Sequence, residues 1–158
     1  SVCFALCAIA CALSLLPVKA DPVLLFNGTD SYVDIGPNNF PDLTDLTLEA
    51  WVKRDKDLGT YNGIAGQGYY SSGVTGFGLT LGGSTENLGF QLRNDSNTFT
   101  PVATFPYSGE WHHVAGVREG DTVSLYLNGV LVNQVIEAAT ITLNTTHNFG
   151  IGATMTSR

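Results

Sequence analysis

With 158 residues, the chain is long enough for one domain with a real core. Asp and Glu total 14 against 7 Lys and Arg, a formal net charge of −7. Its basic residues form no stripe: Lys53, Arg54 and Lys56 alternate with Asp55 and Asp57, and such an acidic surface excludes nucleic acid as an expected partner.

The first twenty residues, SVCFALCAIACALSLLPVKA, differ from all that follow. Val2 to Leu16 is an apolar run broken by Ser14, short for a bilayer-spanning helix. Pro17 and Val18-Lys19-Ala20 then follow as in a secretory signal peptide with its cleavage site. The expectation is a signal peptide over 1–20, incomplete at its start because it lacks Met and a basic leader. A secreted mature domain over 21–158, without membrane insertion of its own, would follow. An N-terminal anchor is the alternative; a lipidated cysteine fits less well, because apolar residues continue past Cys11. All three cysteines, Cys3, Cys7 and Cys11, lie in the leader, so the mature domain would have neither disulfide nor thiol nucleophile.

From Asp21 onward, short alternating apolar runs are separated by Gly, Asn and Asp. Strands are expected at Val23–Phe26, Tyr32–Ile35, Leu46–Lys53, Gly76–Leu81, Leu88–Arg93, Val102–Phe105, Trp111–Arg118, Thr122–Leu127, Val130–Ile136 and Asn148–Gly152. Many short antiparallel strands with regular turns indicate an all-β, two-sheet sandwich or jelly roll. No repeat or low-complexity linker divides it.

Asn128-Gly129 is the preferred pair for a two-residue type I′ hairpin turn. It sets Leu127 against Val130 and Leu125 against Val132, with Tyr126, Leu131, Ser124 and Asn133 on the other side. Glu119-Gly120-Asp121 makes the preceding turn, so Trp111 to Ile136 is a three-strand meander. Successive side chains of a strand point to opposite faces, so His112 and His113 cannot serve one metal ion or one substrate. Trp111, at a strand start, reads as a packing anchor and not as a sugar-stacking platform, because aromatics carry large buried area.

The segments LLFNGTDSYVDIG (24–36), LTLEAWVKRD (46–55), GFGLTL (76–81), LGFQL (88–92) and WHHVAGVREGDTVSLYLNGVLV (111–132) occur in this order. Together they resemble the laminin-G-like modules of the concanavalin A-like lectin and glucanase superfamily, over nearly all of the mature chain. The resemblance implies a jelly roll of two curved antiparallel sheets that binds glycans or extracellular proteins, usually as one module beside additional domains. It also implies a further strand after FGIGATMTSR, so the chain is expected to lack its C-terminal closing strand and to expose a sheet edge.

Related glucanases set paired carboxylates on one face of a strand in an E-x-D-x-(x)-E pattern, where an acid and a nucleophile can flank one glycosidic bond. The only E-x-D here is Glu119-Gly120-Asp121, at a turn, with no third carboxylate beyond. No Gly-x-Ser-x-Gly elbow occurs either. Glu49, within LTLEAWVK, reads as a paired structural acid and not as a ligand contact. The resemblance implies calcium at the sandwich rim, held by loop Asp and Asn side chains with backbone carbonyls. Asn144 resembles one such ligand; Gly76 and Phe77 replace the expected acid before GLTL, leaving Asp95 as its substitute. The turn Asn27-Gly28-Thr29-Asp30 reads as a β-turn, with ion binding as the alternative.

Asn27, Asn94 and Asn144 head sequons at turns and would carry glycans in a eukaryotic secreted protein. Tyr69 and Tyr70, in the loop GQGYYSSGVTG, are the candidate ligand contacts, with a plain connector as the alternative. Three functional classes remain: a secreted non-catalytic recognition module, a structural spacer, and a polysaccharide-active glycoside hydrolase. The first agrees best with the residues.

Overall fold

The computed structural model of the chain describes residues 23–27, 29–37, 45–54, 62–68, 76–82, 87–93, 98–136 and 147–153. Eleven strands run through them: β1 Val33–Pro37, β2 Leu46–Lys53, β3 Asn62–Gln67, β4 Gly76–Leu81, β5 Asn87–Arg93, β6 Thr98–Phe99, β7 Val102–Thr104, β8 Trp111–Glu119, β9 Thr122–Leu127, β10 Val130–Ile136 and β11 Asn148–Ile151. They form two antiparallel sheets, as expected. One runs β1-β11-β3-β4-β5-β6, with β7 also pairing β5; the other runs β10-β9-β8-β2.

The alternation of β2 reports its placement directly. Leu46, Leu48, Ala50 and Val52 pack toward the core, while Thr47, Glu49, Trp51 and Lys53 face solvent. Across the sandwich, Phe77, Leu79, Leu81, Leu88, Phe90 and Leu92 supply the inner face of β4 and β5, all buried. Val114 of β8 with Val123 and Leu125 of β9 meet them. At the centre, Gly116 lies against the Phe90 ring, and a Cβ at position 116 would land inside that ring. Only glycine lets these strands approach so closely.

The turns behave as their residues dictate. Asn128 and Gly129 both have positive φ, 52° and 78°, the requirement of a type I′ turn. Gly120 takes φ 54° in the β8–β9 turn, its N–H donates to Asp45 Oδ1, and its carbonyl accepts from the buried Arg118 Nε. Asn27 folds its own turn: its Oδ1 accepts from the backbone N–H groups of Thr29, Asp30 and Ser31, while its Nδ2 donates to Asp30 Oδ1. That carbonyl oxygen is occupied by donors from its own turn.

Four expectations need correction. Val23–Phe26 forms no strand; Phe26 instead packs on Gly152, just past β11. β3 and β6 occur where none was expected. The β9–β10 register shifts between Leu131 and Asn133, so Leu125 faces Asn133, not Val132, and Ser124 faces Gln134. The freed Asn133 Nδ2 donates to the Val102 carbonyl at 2.8 Å, tying the meander to β7. Finally, Trp111 is not a packing anchor, because its face of β8 looks away from the core.

The Phe90–Gly116 contact gives a measurable prediction. Gly116→Ala should destabilise by roughly 1–3 kcal/mol in urea unfolding through overpacking, and Phe90→Ala by roughly 3–5 kcal/mol through the cavity it leaves. Combining the two should cost less than their sum, since the truncated ring leaves room for the new methyl group.

Candidate functional site

The register of β2 and β8 decides what the outer face of the four-stranded sheet carries. Lys53 lies opposite Trp111, Trp51 opposite His113, Glu49 opposite Ala115 and Thr47 opposite Val117. Directly opposed residues share a face, so two indoles, an imidazole, a carboxylate and an ammonium group stand together on the solvent side. Trp51 is 66% exposed and Trp111 46%. The Trp51 and His113 rings lie 5.4 Å apart at 54°, and His113 Nε2 stands 3.3 Å from Glu49 Oε2. Farther across the sheet, Ala115 lies opposite Tyr126, and Tyr126 opposite the exposed Leu131. The result is an aromatic strip on rigid backbone, edged by hydrogen-bonding groups.

Glu49 is paired, as expected, but on the solvent face and to a histidine. That histidine is half of the His112-His113 doublet, which the pleat splits as predicted. His113 joins the strip, whereas His112 points the other way, its ring edge-on to Phe105 at 5.3 Å.

His112 stands in an arrangement that resembles a nucleophile with its base. Ser108 Oγ stands 3.1 Å from His112 Nε2, and Asn128 Nδ2 stands 3.1 Å from His112 Nδ1. The direction of these bonds follows from a fourth group. Asn128 Oδ1 accepts the His113 backbone N–H at 3.0 Å, which leaves the amide Nδ2 as a donor to His112 Nδ1. The imidazole proton is then on Nε2 and donates to Ser108 Oγ, which also accepts from the Glu110 N–H at 3.3 Å. A general base must receive the hydroxyl proton; this histidine gives one. The bonds serve instead to hold the Ser108 bend and the Asn128 turn against β8.

The other sheet turns a different outer face to its surroundings. Asp34, Gly150, Gly66, Gly78 and Gln91 form one row across β1, β11, β3, β4 and β5. Gly150, Gly66, Gly78 and Gln91 are buried, and Thr100 and Val102 lie over neighbouring Gly89. Asp34 Oδ2 accepts from Asn148 Nδ2 at 2.9 Å. That face offers no exposed aromatic among the described residues.

Tyr69, Tyr70, Asp95, Asn94 and Asn144 lie outside the described residues. Asn27 is exposed at its turn. Among the described residues, no group of three or more His, Cys, Asp or Glu side chains could hold a metal ion.

Comparison with known families now places this sandwich. The Laminin_G_3 family, of the concanavalin A-like lectin/glucanases superfamily, matches residues 27–158. The chain belongs to that family. No curated protein sequence matches it. Among solved structures, this laminin-G-type chain is similar to the mouse laminin alpha1 chain domains LG4-5, with TM-score 0.59 and 14% identity. That likeness covers 77% of this chain and 31% of the other. It is similar also to domain 4 of AbnA, a GH43 extracellular arabinanase from Geobacillus stearothermophilus, in complex with arabinotriose (TM-score 0.65, 17% identity, 84% of this chain and 62% of that one). A third is the Ruminococcus gnavus IT-sialidase CBM40 bound to α2,3-sialyllactose (TM-score 0.56, 17% identity, 78% of each chain). The chain thus spans under two thirds of the first two, and at these identities the likeness is one of fold.

Asn128 is the residue whose role sequence reasoning most understated, because its turn propensity masked its side-chain bonds. Asn128→Gly keeps the turn but loses both bonds, and should cost roughly 1–3 kcal/mol in thermal or urea unfolding. Asn128→Ala should cost more, since alanine also resists positive φ, by roughly 1 kcal/mol.

Proposed function

We propose that this chain is a secreted, non-catalytic recognition module, one part of a larger extracellular protein, that binds a glycan or an extracellular protein. The observation that carries this reading is the placement of both tryptophans of the chain on one open sheet face. Exposed aromatic groups on rigid strands are poor choices for solubility, and a spacer domain has no use for them. They suit a binding surface, because an indole offers a large area at low entropic cost. Similar folds in complexes with arabinotriose and sialyllactose, and in laminin, support the same reading.

The catalytic alternatives find less support. Glycoside hydrolysis needs two carboxyl groups flanking one bond. Glu119 and Asp121 instead edge a hairpin turn, and Glu49 faces His113. The Ser108–His112 contact has its proton on the wrong atom. Ser108 should therefore resist labelling by a fluorophosphonate under conditions that label a serine hydrolase; stoichiometric labelling would return the chain to the enzymes.

Binding tests the main proposal. Screened against glycans and extracellular proteins, the chain should capture a ligand, and Trp51→Ala and Trp111→Ala should each weaken it at least tenfold. Their unfolding free energies should stay within about 0.5 kcal/mol of the parent, because both side chains lie outside the core. No capture on either panel would favour the spacer.

Calcium enters this reading only through Asn144 and Asp95. An ion held by the folded form raises the melting temperature, so melting in chelator against excess calcium is the check. An unchanged midpoint would remove the metal from the proposal.

A further inference from the structure

We infer that the outer face of the four-stranded sheet is a platform for a neutral polysaccharide, gripped along its length and not at a chain end. This rests on the recognition reading above and specifies both its surface and its ligand class. Trp51 lies opposite His113, and Trp111 is two residues along the same strand, so the indoles are diagonal neighbours whose backbones are roughly 7–8 Å apart. They form one patch across two strands. A pyranose ring has an apolar C–H face and a rim of hydroxyls, and this patch has both complements. The indoles meet the faces, while Glu49, His113 and Lys53 stand beside them to bond the rim.

The form of the surface selects the mode of binding. The strip lies on strands, and it continues past Ala115 to Tyr126 and Leu131. Trp51 and Trp111 are both open to solvent, so a chain can enter and leave at either side. A chain end would need a closed pocket, whereas these two indoles stand exposed on strands.

Charge selects the ligand class. The chain carries a net charge of −7. Lys53 is the one cation on this face of β2 and β8, since Arg118 points to the inner side and Arg54 lies over the Tyr107 ring. Recognition of sulfate or carboxylate groups along a polyanion needs clustered Arg and Lys, and Glu49 at the middle of the strip opposes it. The same carboxylate argues against a protein partner, because charged residues are depleted at the centres of protein interfaces. Thr47, Ser124 and Gln134 also break the apolar area. Ser124 is itself buried and accepts from Gln134 Nε2 at 3.0 Å, but a face so interrupted by polar groups matches a hydroxylated ligand better than a packed protein core.

The chain reports on this surface by itself, because its only two tryptophans both stand there. The whole chain is titrated with neutral polysaccharides (mixed-linkage β-glucan, galactomannan, arabinan and xyloglucan) and with heparin and polygalacturonate, while tryptophan emission is recorded. The expected result is a saturable blue shift with at least one neutral polymer and none with the polyanions. Affinity for oligosaccharides of that polymer should rise with length. Trp51→Ala and Trp111→Ala should each lose at least tenfold in affinity with unchanged melting, and Trp51→Phe should retain part of it. Saturable neutral-polymer binding that survives in the double alanine variant, read by titration calorimetry because that variant has no tryptophan, would overturn this inference but leave recognition standing. The same holds for tighter binding of heparin, for equal affinity at all oligosaccharide lengths, or for capture of an extracellular protein without any glycan response. No binding to any glycan or protein would overturn the recognition reading itself.

Discussion

The Phe90 ring rests on a bare backbone. Because position 116 carries no side chain, β5 and β8 close on each other there, and Gly116 must face inward. The pleat then leaves no freedom. If residue 116 is inside, so are His112, Val114 and Arg118, and Trp111, His113, Ala115 and Val117 are outside. The pairing of β8 with β2 carries the same parity across to Trp51 and Glu49. One close contact in the core thus determines which side chains the solvent meets on the opposite face of the sheet.

Much of this was legible in the residues, and the failures have physical causes. Leu46–Lys53, Thr122–Leu127 and Val130–Ile136 show clear alternation or a strong turn between them, and each strand runs over the expected residues. β3, NGIAGQ, gives no such signal: its two glycines and single large aliphatic residue leave nothing to alternate, although it pairs on both edges, with β11 and β4. β6 is two residues long. The misreading of Trp111 is more instructive. Both faces of β8 are apolar, Val114 on one and Trp111, Ala115 and Val117 on the other, so alternation defines two faces without saying which is inner. Size suggested that the tryptophan was inside. The deciding residue was the smallest one, and its significance depends on a phenylalanine 26 positions away, which no local pattern reveals.

The extra residue at Val132 is similar. An Asn-Gly turn predicts regular pairing outward from itself, and it does hold for Leu127 with Val130 and Tyr126 with Leu131. Beyond that the strand bulges, and Asn133 turns to the Val102 carbonyl. The Asn133 bond to the other sheet thus takes the place of the regular Leu125–Val132 pair.

The two faces of β8 therefore serve different ends with little interference. Inward positions determine stability, and outward ones can change while the sandwich stands. Asn128 is the exception. Its amide holds the inward His112 through Nδ2 and the backbone of the outward-facing His113 through Oδ1, while its own N–H donates to the His113 carbonyl at 2.7 Å. His113 in turn lies against Trp51 and Glu49. The hairpin turn is thus fastened to the strand that carries the aromatic strip, and loosening that turn would free His113 before it disturbed the core. Ser108 and Asn128 make sense together on this view: they form a brace about one histidine, and Asn128 ties that brace to the backbone of the next, which faces the aromatic strip.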